Sequence, residues 1–598
     1  MRKRLPAAIF LILLICQGVL AASSPAIIPM DSSLYRDMDI LYTFSGLGSP
    51  STSRPWTKAE ATVIFARLDK VPLEGSMLQL YEQVAAELAE PLQFSFADGF
   101  QFGVGLEIAG EGYGHTHPLQ TRSRNIPPWM RSVTERKPAA RLTMDFQVSD
   151  LFYTYTDFQY GRNRFIADKD PLKLKELTYI PQTPYNGFFA LVPQFQFTPT
   201  RPPGPADIYY AFPDSVYQPL FSHNILLPSH IHEIDLQWPR RAAASFGDKG
   251  WNILFSRDKL KWGNGKSGNL VIGDHVDYHD YARAIFFTDT FKYDWLTVFL
   301  ESNPYADSAG IRDDLISLFI AHRLEFRPFP WWTLAMSENL VYKNDILDLR
   351  YLMPAFFHHN RNNARMFNAI AHIESTISIA PGWSFYGQFV LDQMRAPTES
   401  NSEAAAYGFL VGLEHVRPLE KGILSLSAEF VMTSSALYIR DWVDFRIYHK
   451  YFTQNASKTF FYHVLQFDYL GYQYGGDAQV LQLDGEWRIP GTGRLYTRIF
   501  ALRHGEVDIL FGYSKNRNHE PDHNANREGF LSGNVLETAL SFTVGGEYQI
   551  PDAVSWVRDA SLWTQIDVMT AALYDKASRS YFQQHTDLQV TFGIKFGL

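Results

Sequence analysis

The chain has 598 residues, 46% hydrophobic and 20% charged, with 54 basic against 63 acidic side chains and a formal charge of −9. A near-half apolar content excludes wholesale disorder, and the lack of any later run of 18 or more apolar residues excludes a bundle of membrane helices. The acidic balance excludes nucleic-acid binding as a main role, because neutralising phosphates needs a basic surface.

Arg2, Lys3 and Arg4 precede an apolar stretch from Ala7 to Leu20, and small residues follow at Ala21, Ala22 and Ser23. This is the pattern of a secretory signal peptide over 1–22, with cleavage expected after Ala21 or Ala22. Leu13-Leu14-Ile15-Cys16 departs from a lipoprotein signal at the bulky Ile15. Loss of the leader removes three positive charges and the only cysteine, Cys16. The exported chain then has neither disulfides nor thiolate metal sites and must be held by backbone pairing and packing.

The region 23–93 reads as a small helical bundle. Ser33 is placed to cap a helix with Leu34, Met38 and Leu41 on one face. Thr57 and Glu60 have capping-box spacing ahead of Ala61, Ile64, Phe65 and Leu68. A third helix is expected from about Ser76 to Glu90, striped by Met77, Leu80, Tyr81, Val84 and Leu88 and ended by Pro91.

From Phe94 to Leu598 the period becomes two. Phe100, Phe102, Val104, Leu106 and Ile108 alternate with Gln101, Gly103, Gly105 and Glu107, and Leu481, Leu483 and Trp487 alternate with Gln482, Asp484, Glu486 and Arg488. Soluble sandwiches alternate too, so three further features decide. The strands reach the ~9–11 residues that a tilted strand needs to cross a bilayer. Tight turns at Arg327-Pro328, Ala380-Pro381-Gly382, Arg417-Pro418, Ile489–Gly493 and Ile550-Pro551-Asp552 alternate with long polar stretches. Those stretches lie near Lys343–Phe367, Arg395–Ala405, Ser434–Gly476, His504–Ser532 and Tyr574–His585. The chain ends in an apolar row at Leu588, Val590, Phe592, Ile594, Phe596 and Leu598, suited to closing a seam. The fold class is therefore all-β: a large antiparallel transmembrane β-barrel over 94–598, behind the helical region. At roughly 28 residues per strand and connection it has about 18 strands. Closure is obligatory, because an open edge in lipid leaves N–H and C=O groups unpaired. Aromatic girdles then account for much of the 15% aromatic content.

Catalytic motifs are missing: there is no Gly-x-Ser-x-Gly elbow, Walker loop or His-Glu-x-x-His helix. His275, Asp277 and His279, the pair His358-His359, and the run His519 to His523 could approximate zinc ligands, but none has diagnostic spacing, and solvated loops or lumen rows explain them. No cofactor, metal or enzyme activity is expected. The glycine-rich run Gly263-Asn264-Gly265 with Ser267-Gly268-Asn269 leads into no helix, so it reads as a turn or a constriction inside the barrel rather than a phosphate cradle.

A set of segments resembles the Wzi family of outer-membrane capsule assembly proteins. They are Leu34-Tyr35-Arg36-Asp37, Arg54-Pro55-Trp56-Thr57, Arg257-Asp258-Lys259-Leu260-Lys261-Trp262-Gly263, Gly268-Asn269-Leu270, His322-Arg323-Leu324-Glu325-Phe326, Ser337-Glu338, Asn362-Asn363, Tyr386-Gly387-Gln388-Phe389 with Asp392, and Glu429-Phe430. They occur in order over Ser33 to Tyr438, and the final 160 residues match by barrel pattern alone. The resemblance implies a barrel with helices on its periplasmic side. It also implies a lectin-like, non-catalytic role in attaching or organising capsular or surface polysaccharide. The expected partners are outer-membrane lipid, that polysaccharide and the polysaccharide export machinery, in the outer membrane of a diderm bacterium. Candidate polysaccharide or lumen contacts are Arg257, Lys259, Trp262, Asn269, His322, Arg323, Glu325, Asn363, Asp392 and Glu429. Tyrosines 438, 448, 451, 462, 469, 472 and 474, in or beside one long loop, read first as girdle or loop-packing aromatics, with faces for sugar rings as the alternative. The competing reading is a porin or uptake channel for small polar solutes, motivated by inward charges such as Arg141/Asp145 and Asp484/Glu486/Arg488.

Overall fold

The computed structural model describes residues 24–97, 99–116, 137–160, 163–166, 208–211, 221–224, 232–235, 239–301, 316–353, 367–394, 405–439, 443, 445–455, 461–506, 529–551, 557 and 559–597. The expected leader over 1–22, Asn363 and the His358-His359 and His519–His523 runs lie outside the described residues.

Three helices open the chain: α1 (Leu34–Phe44), α2 (Lys58–Phe65) and α3 (Gly75–Ala89). Their stripes meet as expected. Leu34, Met38, Leu41, Ile64, Leu68, Leu80 and Val84 are buried in one cluster around Trp56, together with Val416 and Ile423 of the barrel. Two capping details differ from the sequence expectation. Ser32, not Ser33, accepts the Leu34 amide, at 3.1 Å. Thr57 caps the Glu60 amide at 3.0 Å, but the Glu60 carboxylate leaves the helix end to meet Lys292 at 2.5 Å. The carboxylate goes to the buried ammonium, which has a full charge to satisfy, while Thr57 is bridged to Ile27. Among the described residues no helix is long and apolar enough to cross a membrane.

The barrel has eighteen antiparallel strands. The first nine are β1 (Phe100–His115), β2 (Ala140–Val148), β3 (Phe152–Tyr160), β4 (Arg241–Asp248), β5 (Trp251–Asp258), β6 (His279–Phe287), β7 (Phe291–Leu300), β8 (Ile316–Phe329) and β9 (Trp332–Asn344). The others are β10 (Phe367–Ala380), β11 (Trp383–Gln393), β12 (Ala406–Pro418), β13 (Ile423–Thr433), β14 (Ala478–Ile489), β15 (Gly493–His504), β16 (Val535–Gln549), β17 (Asp559–Asp575) and β18 (Ser580–Gly597). Each pairs with its sequence neighbour, and β18 closes on β1, with Gln589 opposite His115 and Gly597 opposite Glu107. Among the described barrel strands no backbone edge is left open to lipid.

Alternation sets inside from outside. On β17, Ser561, Trp563, Gln565, Asp567 and Met569 are buried, while Leu562, Ile566 and Val568 are exposed. The C-terminal row behaves likewise: Leu588, Val590 and Phe592 face out, and Asp587, Gln589 and Thr591 face in. Trp251, Phe286, Phe291, Phe329, Trp331 and Trp383 are exposed beside the short turns, forming the girdle of that end.

The helices sit at the short-turn end. The Gly48 amide donates to Pro330 O (2.8 Å), the Gly382 amide to Thr43 O (2.9 Å) and the Ser76 hydroxyl to Gly422 O (3.0 Å). At the long-loop end, Arg446–Asn455 and Phe461–Tyr469 form a hairpin in a separate five-stranded sheet with Asn163–Ile166, Ile208–Ala211 and His232–Asp235. The residues after β9 fold back over the outer wall, where Tyr351 packs on Tyr342 (5.0 Å) and Phe367 (5.7 Å). One expected long loop is not there. Tyr574–His585 is a continuous hairpin, β17 and β18 being joined by a tight turn at Lys576–Arg579.

Candidate functional site

Among the described residues two segments insert into the lumen, and most of the sequence-derived candidates lie where these meet the wall. The first runs from Ser49 to Thr57, between α1 and α2. Its Ser51, Thr52, Ser53 and Arg54 are buried. Inward charges of three strands grip it, braced by Glu374 of a fourth. Arg283 of β6 donates to Ser53 Oγ (2.6 Å) and Pro55 O (2.7 Å) while chelating Asp294 of β7 at 2.6 and 2.9 Å. Lys292 of β7 donates to Glu60 (2.5 Å), Ser51 Oγ (3.1 Å) and Ser53 O (3.0 Å). Arg323 of β8 spans Thr52 Oγ1 (2.5 Å) and Glu374 of β10 (2.9 Å), and Arg327 holds Glu325 at 2.6 Å. Arg323 and Glu325 are thus plug-holding groups with no exposure, closed to a polymer.

The second segment is the loop between β5 and β6, which enters from the opposite mouth. Lys261–Trp262 pairs antiparallel with Ser53–Arg54, so the two insertions form a short ribbon within the barrel. Beyond it a strap crosses to the far wall. The Lys266 and Ser267 amides donate to the Glu429 carboxylate of β13 at 2.7 and 2.8 Å. The Ser267 hydroxyl (2.5 Å) and Tyr386 of β11 (2.9 Å) donate to it as well. The Asn269 carboxamide accepts from the Gly265 amide (3.0 Å) and from Gln388 of β11 (2.7 Å). This is the constriction expected from sequence, and its amides serve a wall carboxylate where a phosphate loop would serve a ligand. Gly263 (φ +119°) cannot be replaced freely: a Cβ there would lie 2.1 Å from Asn269 Oδ1. Trp262 and Asn269 are fully buried, and Arg323 stands 5.7 Å from the Trp262 ring.

The loop after β13 locks the strap from above. Tyr438 donates to Leu270 O (2.6 Å) and accepts the Tyr472 amide (3.1 Å), while Asp392 accepts the Tyr438 amide (2.9 Å). Tyr438, Tyr469, Tyr472 and Tyr474 are all buried in this packing. These four are loop-packing aromatics and do not present ring faces to a sugar. The physical reason is the strap itself, which gives their rings an apolar and hydrogen-bonding surface to cover. The side chains of Tyr448, Tyr451 and Tyr462 lie outside the description.

Two candidates carry outward parity. His322 lies in register between Trp295 and Glu338 on the same outer face as exposed Leu324. Arg257 follows exposed Phe255 and binds Asp280 at 2.7 and 2.8 Å beside Tyr278, whose ring is 4.8 Å away. Lys259 bridges to Asp274 O at 3.0 Å at the same mouth. Sequence reasoning missed the charges that carry the plug, namely Lys292, Asp294, Arg283 and Glu374. They fall on single alternating positions of unremarkable strands, and only their inward parity marks them.

In the helical region, burial pushes the Glu60 carboxyl above its usual range, and Lys292 and Arg283 pull it back without reversing the shift. Asp37 is likewise raised by burial against the pull of Arg488. Among the described residues no group of three or more His, Cys, Asp or Glu side chains is arranged to hold a metal ion; His275, Asp277 and His279 do not form one.

No family model and no curated protein sequence matches the chain. Among solved structures it is similar to Wzi of Escherichia coli, a carbohydrate-binding β-barrel of the outer membrane involved in group 1 capsule assembly. The identity is 13% and the TM-score 0.52, covering 95% of this chain and 99% of that one. It is also similar to the outer-membrane channel DcaP of Acinetobacter baumannii (10% identity, TM-score 0.30, 85% and 100% covered) and to OccD3 of Pseudomonas aeruginosa (9%, 0.37, 85% and 95%). At such identities the likeness is one of fold, and the fold is that of a closed 18-strand outer-membrane barrel.

Proposed function

We propose that this chain is a non-catalytic protein of the diderm outer membrane that binds capsular or other surface polysaccharide and holds it at the cell surface, within the Wzi family. The strapped lumen carries this reading. A cylinder crossed by two inserted segments, each fixed by buried charge pairs, suits a rigid attachment platform better than a route for solutes. The likeness to a carbohydrate-binding barrel supports it. The sugar-binding groups would lie on the long-loop face. There Arg257 and Asp280, 28% and 34% exposed, combine a cation and a carboxylate suited to sugar hydroxyls. The helical end is the natural place for the export machinery to engage.

Clean deletion of the gene should release polysaccharide from cells into the medium while synthesis and export continue. Undiminished retention would refute the proposal. One observation favours a channel: Arg494, Arg498 and Asp484 on the inward faces of β14 and β15 keep 40%, 29% and 23% exposure. Single-channel recording on purified protein decides between the readings, since a strapped lumen gives no steady current and a pore does.

A further inference from the structure

The outer wall carries a groove of about 540 Å³ that neither the plug nor the loops explain. Its lining residues Phe430, Leu481, Ala501, Thr538, Leu540 and Ala572 come from β13 to β17 and all have outward parity. The hollow arises because Ala501, Thr538, Thr570 and Ala572 are small where flanking positions carry Leu481, Leu540 and Tyr581, which are 45%, 56% and 57% exposed. Its size is within the range of small-molecule sites.

Height and polarity identify the occupant. Below the groove the outward rows are mainly hydrocarbon, broken only by the small hydroxyls of Thr497 and Thr564: Leu483, Leu495, Ile499, Phe542, Val544, Ile566 and Val568 are exposed. At the groove they change to Gln479, Arg503, Thr538, Thr570 and Gln584. Arg503 stands about eleven residues above the short turn. With a rise of about 3.3 Å per residue and a tilt of about 40°, that is about 28 Å, the outer edge of an apolar band about 25 Å tall. Arg503 is exposed and has no ion-pair partner among the described residues. The site therefore has an apolar floor at acyl-chain level and a single cation with hydroxyl and amide groups at headgroup level.

We propose that this groove binds a phosphorylated lipid of the outer leaflet, an acyl chain lying against Leu481, Leu540 and Phe430 and a phosphate oxygen meeting the Arg503 guanidinium. The site is separate from polysaccharide binding and stands whether or not that reading does. The phosphate supplies the charge that Arg503 lacks, and desolvation at the interface strengthens the pair beyond an ordinary surface ion pair.

The test uses the full chain reconstituted in phosphatidylcholine vesicles containing bis-phosphorylated lipid A, extracted gently and weighed by native mass spectrometry for retained lipid. Wild type should keep one lipid A per chain in preference to phosphatidylcholine and to dephosphorylated lipid A. Arg503→Gln should lower the retained fraction about fivefold. Ala572→Phe, which fills the floor and leaves the cation in place, should lower it comparably. Both side chains face away from the lumen, and a folded-barrel mobility shift in gel electrophoresis confirms that the variants are intact. Equal retention in wild type and Arg503→Gln overturns the phosphate contact. Unaltered retention in Ala572→Phe overturns the groove, and equal uptake of phosphatidylcholine overturns the selectivity.

Discussion

The two sides of the lumen use the same residue types to different ends. From β6 to β10 the inward charges reach off the wall to a second piece of chain, and they are dry: the Arg283–Asp294 side chains are 2% and 1% exposed, and Lys292–Glu60 3% and 2%. On β14 to β16, Arg488 and Glu486 still reach to Asp37 and Arg36 of α1, but a second set of charges pairs within the wall. Arg498 meets Asp484 at 2.6 Å and Arg494 meets Glu547 at 3.2 Å, with the arginines 29% and 40% exposed. An ion pair's strength follows from what surrounds it. A dry pair is costly to break because one charge remains stranded, whereas a wet pair gives up little when lost.

The largest effect should follow from Arg283→Leu, which strands Asp294 beside Ser53 and should cost about 3–5 kcal/mol in urea unfolding. The double change Arg283→Leu/Asp294→Leu should recover most of that loss, and failure to recover would show that Arg283 acts through packing instead. Next comes Gly263→Ala. It strains a backbone at φ +119° and pushes a methyl into Asn269, with an expected cost of about 2 kcal/mol, local to the strap. It should also convert a silent barrel into one with intermittent steps in planar-bilayer recordings.

Acidity offers a gentler probe. A raised Glu60 means that the docked state holds its proton more tightly than the released chain does, so Glu60 favours docking below its unfolded range and loses that contribution as pH rises through its folded value. Protease resistance of the helical region should fall as pH rises above the ordinary carboxylate range, and Glu60→Gln should flatten that profile; a steeper profile in the variant would reverse the assignment. Smallest is Arg498→Leu on the wet wall, which should change stability by less than about 1 kcal/mol. Were it to rival Arg283→Leu, the contrast between the two sides would fail.

The barrel was legible because lipid outside and polar groups inside imprint every second residue. The turns were legible because proline and glycine mark them. About 18 strands followed from length alone, and eighteen are present. The strap was half legible: Gly263 to Asn269 read as a constriction, but its anchors Gln388 and Glu429 lie more than a hundred residues on. Only closure of the ring brings β11 and β13 opposite β5. His322 sits in a family-like segment yet faces outward, since a motif does not record its parity with respect to the lumen. The tyrosines after β13 left two readings open because an aromatic loop that packs on a strap and one that awaits a sugar have the same composition.

The ribbon of Ser53–Arg54 with Lys261–Trp262 joins a piece of chain threaded from the short-turn mouth to one threaded from the long-loop mouth. It works as a handshake between compartments: tension on either piece is carried by backbone hydrogen bonds to the other side of the bilayer.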